Sequence, residues 1–322
     1  MSETLRAAVV GVGHFGRYHA AKYAAMDGVD LVAVVDNDAG RARTVAEEHA
    51  TRAETDIAAI IDGVDLVSVA VPTSLHREVA TAFLERGVHV LVEKPIADTL
   101  ENADAMLAAA ERSGALLQVG HIERFSGAFG AISSRLVRPL YIESYRIAPF
   151  NPRISDVNVI LDLMIHDIDL VLALVQSPLE SVDAVGAPVI TRQEDIANTR
   201  LKFANGCVAN ITASRVSAKT ERTMRIFQPE SYTLVDFQDQ KLVHMTKGGK
   251  GPFPGFPGIQ RSDETFERGD TLEREIRSFV DAIRSGGPAV VDGMAGRNAL
   301  EAALRIGESL HAHLRLVSMD DI

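Results

Sequence analysis

The sequence has little cysteine: Cys207 is the only one in 322 residues. No intramolecular disulfide can form, and a zinc site built on several thiolates is excluded. One thiol fits a reducing, cytoplasmic setting. Long apolar runs are also missing. The greasiest window, Val159 to Val175, carries Asp162, His166, Asp167 and Asp169, so it reads as a buried helix with a polar task and not as a bilayer span. The start, Met1-Ser2-Glu3-Thr4-Leu5-Arg6, has no basic segment followed by an apolar run, so no secretory signal is expected. Basic excess is absent as well. Lys and Arg number 33 against 44 Asp and Glu, a net charge of −11, which disfavours nucleic acid and anionic membrane as partners. With 46% apolar and 24% charged residues, the chain has the composition of a globular protein and material for about two domains.

What is present alternates. Short β-branched runs at Ala7–Val10, Leu31–Val35, Leu66–Ala70, His89–Val92 and Leu116–Val119 are separated by helical stretches at His14–Met26, Ala39–His49, Leu75–Arg86 and Leu100–Arg112. The runs lack period-two patterning, as strands buried on both faces do. A doubly wound parallel sheet is predicted over residues 1–120. Residues 121–322 form the second domain. After the helix Val159–Val175 its pattern changes to alternating segments at Ala184–Ile190, Ala197–Phe203, Cys207–Val216, Arg222–Phe227 and Thr233–Phe237, which read as an antiparallel or mixed sheet. Asn205-Gly206 marks a hairpin. Pairing Phe203 with Cys207 across a three-residue loop joins both apolar faces, whereas pairing it with Val208 sets apolar against polar. The Gly- and Pro-rich stretch Lys247–Gly258 is expected outside any helix or sheet interior, as a mobile surface loop; a lid or an intersubunit arm is the alternative. Helices at Thr271–Arg284 and Gly293–Leu314 close the chain.

Gly11-Val12-Gly13-His14-Phe15-Gly16 follows the first strand directly and opens a helix. In this pattern the first glycine makes the tight turn, the second lets the backbone approach a pyrophosphate, and the third allows close helix–strand packing. Asp36 ends the second strand twenty residues after Gly16. A carboxylate there accepts from ribose hydroxyls and repels a 2′-phosphate, so NAD is expected rather than NADP, although Arg41 and Arg43 lie nearby. The alternative is that Asp36 only caps the next helix.

Ligands of such sheets bind beyond the carboxyl ends of the strands. There stand Pro72-Thr73-Ser74-Leu75-His76, Glu93-Lys94-Pro95, and His121 and Arg124 in Gly120–Phe125. Pro95 biases Lys94 toward extended geometry, aiming its side chain at the crevice. Thr73 or Ser74 has the plainer alternative of capping the next helix. Further on, Asp162 and His166 stand four apart, with Asp169 three beyond, so all can share one stripe of a greasy helix. A structural Asp–His pair is the competing reading. Oxidising a secondary alcohol by hydride transfer to nicotinamide needs a base for the hydroxyl proton. His166 suits that, with Lys94 stabilising the alkoxide and Asp162 orienting the ring or a hydroxyl. Arg124, Arg146 and Arg153 are candidates for a diphosphate, with His121 beside them. No metal ligand set is seen.

The fingerprint, Glu93-Lys94-Pro95 and Asp162-x-x-x-His166-Asp167 together resemble the glucose–fructose oxidoreductase / inositol dehydrogenase / rhizopine-catabolism family (Gfo/Idh/MocA) across essentially the whole chain. The resemblance implies a Rossmann domain followed by an α+β domain with a large open, mostly antiparallel sheet. It implies an active site lined by Lys94, Asp162 and His166, a cis Lys94–Pro95 bond, and homodimers or homotetramers built on the sheet. Gly120–Phe125, Leu161–Asp169 and Arg225–Pro229 resemble the branch that oxidises C3 of UDP-N-acetylglucosamine on the way to diamino-sugar lipid A. One departure is Ser126-Gly127, where that branch is expected to carry Asn-Pro. Inositol or free-pyranose oxidation, or a non-catalytic dinucleotide-binding sensor, are the alternatives.

Overall fold

A computed structural model describes residues 4–151, 157–250 and 257–317. The chain forms two compact units. The first comprises Met1–Phe125 and Asp270–Leu300; the second comprises Ser126–Gly269 and Glu301–Ile322. The first therefore takes in a late segment that a cut at residues 120 and 121 assigns to the second.

In the first unit, strands β1 (Leu5–Val10), β2 (Val29–Val35), β3 (Arg52–Glu54), β4 (Leu66–Val69), β5 (His89–Glu93) and β6 (Leu117–Gly120) alternate with helices. These are α1 (Gly16–Ala24), α2 (Ala39–Glu48), α3 (His76–Leu84) and α4 (Leu100–Ser113). All strand pairs are parallel and the order is β3-β2-β1-β4-β5-β6. Chain direction of the crossovers switches between β1 and β4, where a doubly wound sheet opens its crevice. The local chemistry agrees with the fold. Asp38 caps α2 through Gly40 and Arg41, Thr99 caps α4 through Asn102, and Gly114 ends α4 at φ +73°. Val9, Tyr23, Leu66 and Leu91 pack with Ile276 and Phe279, which come from α7 (Thr271–Ser285) of the late segment. The short strand β3 is not predicted from sequence, because Arg52-Ala53-Glu54 is exposed or half-exposed and carries no apolar signal.

The second unit begins with α5 (Gly127–Ser133) and β7 (Tyr141–Ile147). A helical segment follows, ending in α6 (Ile165–Val175). The strands β8 (Leu179–Ala187), β9 (Ile196–Phe203), β10 (Val208–Ser214), β11 (Glu221–Gln228), β12 (Ser231–Asp236), β13 (Lys241–Lys250) and β14 (Pro257–Thr265) complete it. The eight-stranded sheet runs β14-β13-β12-β11-β7-β10-β9-β8, antiparallel except at β7–β10. Burial alternates along β7, β9 and β10, so one face forms the core. The last helix, α8 (Gly293–Leu316), contains the division between the units.

The hairpin has the predicted register. The Phe203 N–H donates to the Cys207 carbonyl at 3.0 Å, Leu201 faces Ala209, and Gly206 sits at φ +86°. Strand β7 is missing from the sequence reading because its buried positions include Ser144 and Arg146, which hide the apolar alternation. The glycine- and proline-rich stretch needs correction. Lys247–Lys250 and Pro257–Gly258 are ends of β13 and β14, paired across a bulge with Gly249 at φ +74°. Pro257 is tolerated because it opens the edge strand, where a missing N–H costs little. Residues 251–256 lie outside the described residues.

Candidate active site

The fingerprint turn is built for close approach. Gly11 has φ +84°, and a Cβ there would lie 2.7 Å from the Ala70 carbonyl oxygen. A Cβ on Gly16 would collide with the carbonyl oxygen of Gly11, while one on Gly13 would meet nothing within 4 Å. Turn and packing thus require Gly11 and Gly16, and the backbone at Gly13 is open to a ligand. His14 lies edge-on to Phe15 and Tyr18 at the mouth of the turn. Asp36 is 7% exposed; its Oδ2 accepts from the Val12 N–H at 2.9 Å and sits 3.2 Å from Arg41 Nε. The helix cap is Asp38, not Asp36. Asp36 therefore ties the glycine turn to the end of β2, a position from which a carboxylate meets a ribose. Turn, helix N-terminus and acid together fit a dinucleotide.

The neighbouring strand ends are tied to one another. After Pro72, Thr73–Leu75 forms a single 3₁₀ turn, and α3 is capped by Leu75 without a side-chain bond, so neither Thr73 nor Ser74 acts as its cap. His76 is buried, with Nδ1 3.0 Å from the Pro95 carbonyl and Nε2 2.9 Å from the Val71 carbonyl. Burial pulls its pKa down despite those carbonyls. His76 braces the turns after β4 and β5. The Lys94–Pro95 peptide is cis. His121 is buried in the turn after β6, and Arg124 is half-buried in the 3₁₀ turn Ile122–Phe125.

Beneath Lys94 lies a polar cluster that the sequence reading missed. Glu93 Oε1 is 3.1 Å from His19 Nε2, His19 Nδ1 is 3.0 Å from Ser68 Oγ, and Ser68 Oγ is 2.9 Å from the Tyr23 hydroxyl. Glu93 Oε2 accepts from the Lys94 main-chain N–H at 3.2 Å. Burial opposes ionisation of Glu93, but the hydrogen bond from His19, with the Lys94 ammonium, holds its pKa below the usual range. Glu275 of α7 is fully buried. Burial, and then the charge of Glu93, push its pKa well above the glutamate range, which opposes its ionisation. The available signals were a serine in the otherwise apolar Leu66-Val67-Ser68-Val69 and a glutamate on the apolar face with Ile276 and Phe279.

In the second unit, the segment expected as one helix from Val159 is a π-helical turn over Ile160–Met164 running into α6. Single π turns inside helices are frequent at functional sites. Asp162 stands in that turn and His166 in the first turn of α6, both half-buried, while Asp167 and Asp169 are buried. Arg146 is 3% exposed, and its Nε donates to Asp167 at 2.5 Å; Ser144 donates to the same carboxylate at 2.6 Å. Arg146 is thus held by Asp167 on the covered face of the sheet. Arg153 lies outside the described residues. Ser126 caps α5 by accepting from the Phe129 N–H at 3.2 Å, and Gly127 is the first helical residue. Ser-Gly here starts the helix, as an Asn cap followed by Pro at the first helical position also could. Among the described residues, no group of three His, Cys, Asp or Glu is arranged to hold a metal ion, and no helix is long and apolar enough to cross a membrane.

A glycine fingerprint on a six-stranded parallel sheet, joined to a large mostly antiparallel sheet, defines an NAD-binding oxidoreductase. Residues 5–121 match the model of the oxidoreductase family with an NAD-binding Rossmann fold, and residues 135–231 match the GFO/IDH/MocA C-terminal domain. The chain belongs to the GFO/IDH/MocA family and is an NAD-dependent dehydrogenase acting on CH–OH groups. It is 41% identical to UDP-N-acetylglucosamine 3-dehydrogenase of Acidithiobacillus ferrooxidans over 97% of this chain and 99% of that protein. A crystal structure under that name superposes with a TM-score of 0.91 at 40% identity, covering 97% of this chain and 99% of the other. The scyllo-inositol 2-dehydrogenase (NAD(+)) of Bacillus subtilis is 29% identical, over 94% of this chain and 93% of its own. Levoglucosan dehydrogenase in complex with NADH shares the fold, with a TM-score of 0.84 at 21% identity, covering 96% of this chain and 97% of that one.

Proposed function

We propose that the chain oxidises a secondary hydroxyl of a nucleotide-sugar, C3 of UDP-N-acetylglucosamine. The observation that carries this reading is the near-complete overlap, at 41% identity, with a protein of that activity. Gly11, Gly13, His14, Phe15 and Gly16 would hold the pyrophosphate end of NAD, Asp36 the ribose, and Pro72, Thr73, His76 and Glu93 the walls beyond. NAD supplies the acceptor for the hydride leaving the carbinol carbon. His166 takes the hydroxyl proton, Lys94 stabilises the charge growing on the oxygen, and Asp162 orients the imidazole. Of the cations proposed for the diphosphate, Arg124 is half-buried, whereas Arg146 is engaged by Asp167.

The decisive experiment mixes the protein, NAD and UDP-N-acetylglucosamine and follows NADH. Steady turnover is expected. Turnover of a free polyol, with no thermal protection by UDP, would replace this reading with the inositol-type one. Lys94→Ala and His166→Ala should each lower turnover ~10²–10⁴-fold with NADH binding retained. Wild-type rates in both would remove them from the chemistry.

The reading includes a cytoplasmic homodimer or homotetramer joined through the sheet face opposite the buried Ile142 and Ile226. Supporting it, Phe227 on that face is 36% exposed, with its ring 5.6 Å from that of Tyr141 and 5.1 Å from that of Tyr232. Light scattering should show an oligomer that Phe227→Glu dissociates; a monomeric wild type would end this part.

A further inference from the structure

We propose that His19 is a positioning residue for the dehydrogenase reaction: acting through Glu93, it fixes the strand-end turn that presents Lys94. This rests on the reading that Lys94 works at the reacting centre.

With His19 neutral, every proton in the chain has one place. An ionised Glu93 can only accept, so His19 must donate from Nε2, and we assign that tautomer. Nδ1 is then an acceptor and takes the Ser68 hydroxyl proton across 3.0 Å. Ser68 Oγ in turn accepts from Tyr23 across 2.9 Å. The chain is directional: Tyr23 to Ser68 to His19 to Glu93. Its last acceptor also takes the main-chain N–H of Lys94. His19, Tyr23 and Ser68 are each at most 1% exposed, inside an otherwise apolar core. Apolar residues of similar volume would fill that space at no cost in stability, and often at a gain. A buried relay that ends on the turn beside Lys94 instead has a positional use. His19 also stands one helical turn after Gly16, so the helix that opens the fingerprint also anchors Glu93.

The surroundings agree. Glu275 lies within electrostatic reach of Glu93, and burial together with that like charge opposes its ionisation, so the carboxylate charge under Lys94 is carried by Glu93. His19 holds that charge on Glu93. Without His19, Glu93 loses its fixed rotamer and its grip on the Lys94 turn, and the ammonium loses a held counter-charge.

The test compares His19→Leu, His19→Gln and Lys94→Ala. Leucine removes both hydrogen bonds; glutamine restores a donor near the Nε2 position. With UDP-N-acetylglucosamine and NAD as probes, His19→Leu is expected to lower kcat ~10–100-fold with KM for NAD changed less than about 2-fold, and His19→Gln to recover most of the rate. A second readout needs no turnover: site-resolved acetylation by mass spectrometry. Lys94 should label severalfold faster in His19→Leu than in wild type and return toward wild type in His19→Gln. Lys22, on the same helix and paired with Asp270, reports general loosening and should not change. If His19→Leu does not fold, Ser68→Ala cuts the same relay one link back and is expected to speed Lys94 labelling in the same direction. Unchanged Lys94 labelling, equal kcat losses in the leucine and glutamine variants, or faster labelling at Lys22 as well would overturn the proposal. Full activity in Lys94→Ala would overturn the underlying reading instead, and the labelling result would then still decide whether His19 positions Lys94.

Discussion

Buried acids in the two units are held in two contrasting ways. Some buried aspartates are matched by arginines: Asp167 and Asp195 in the second unit, and Asp36 with Arg41 in the first. Asp195 receives N–H groups of Val189, Ile190 and Thr191 at 2.6–2.8 Å and the Arg215 guanidinium at 2.8 Å, and Asp167 receives Arg146. Glu275, in the first unit, is buried with no cation among its influences, next to an already charged Glu93. The contrast separates two uses of polarity in a core. Matched pairs fasten loops and strands. A lone acid near the strand ends is retained at a cost in stability, and it sits where the chemistry is proposed.

The largest expected effect comes from breaking a match. Burial opposes ionisation of Asp195, but three backbone donors and Arg215 hold its pKa well below the carboxylate range. Arg215→Ala would leave that charge buried, without its cation. A loss of ~3–5 kcal/mol in denaturant unfolding is expected. A loss under about 1 kcal/mol would show the backbone donors suffice. Because the folded pKa is depressed, the contribution of Asp195 is present above its ordinary value of 3.8 and fades as pH falls through the folded value. The wild-type advantage over Arg215→Ala should therefore shrink in acid.

Glu275→Gln probes the other side and should change sign. The folded pKa of Glu275 is raised, so its contribution is complete below the ordinary 4.5 and drains away as pH rises toward the folded value, because the unfolded chain releases the proton first. An amide of the same shape cannot titrate. Melting curves of the two proteins should coincide near pH 4.5 and separate toward pH 8, with the glutamine variant a few degrees more stable. A glutamine variant less stable at pH 8 would mean that the carboxyl makes an essential bond, and the contrast would fail.

How much of this was legible follows from the same physics. The parallel sheet showed itself in unbroken β-branched runs, and the fingerprint and Asp36 in spacing alone. The hairpin register was readable because only one pairing joins the apolar faces of Leu201 and Ala209. What stayed hidden was polarity inside the core. Arg146 and Ser144 masked β7, since a residue's type does not announce that its partner, Asp167, lies 21 or 23 positions on. Tyr23, Ser68, His19, Glu93 and Glu275 likewise become a cluster only once α1, β4, β5 and α7 are folded together. Val159–Val175 read as one helix because composition does not distinguish a π turn from an α turn.

Cys207 offers the smallest and cleanest check that burial alone, without a neighbouring charge, moves an acid. It lies in the second unit, 1% exposed, in the turn before β10. Burial pushes its thiol up to about 11 from 9.0, against a weaker lowering contact with the Val208 backbone. Only the thiolate reacts with alkylating agents. At a given pH below its ordinary value, the buried thiol therefore holds ~10²-fold less thiolate than an exposed cysteine does. Iodoacetamide at pH 8 should modify the native protein about 100-fold more slowly than the same protein in denaturant. The rate should climb roughly tenfold per pH unit, as long as the fold holds, until pH approaches the raised value. Cys207 differs from Glu275 in having no like charge beside it, so Glu275→Gln should leave its rate unchanged. Rapid native labelling at pH 8 would mean that this turn opens often, and burial would then lose its standing as the common cause in the two units.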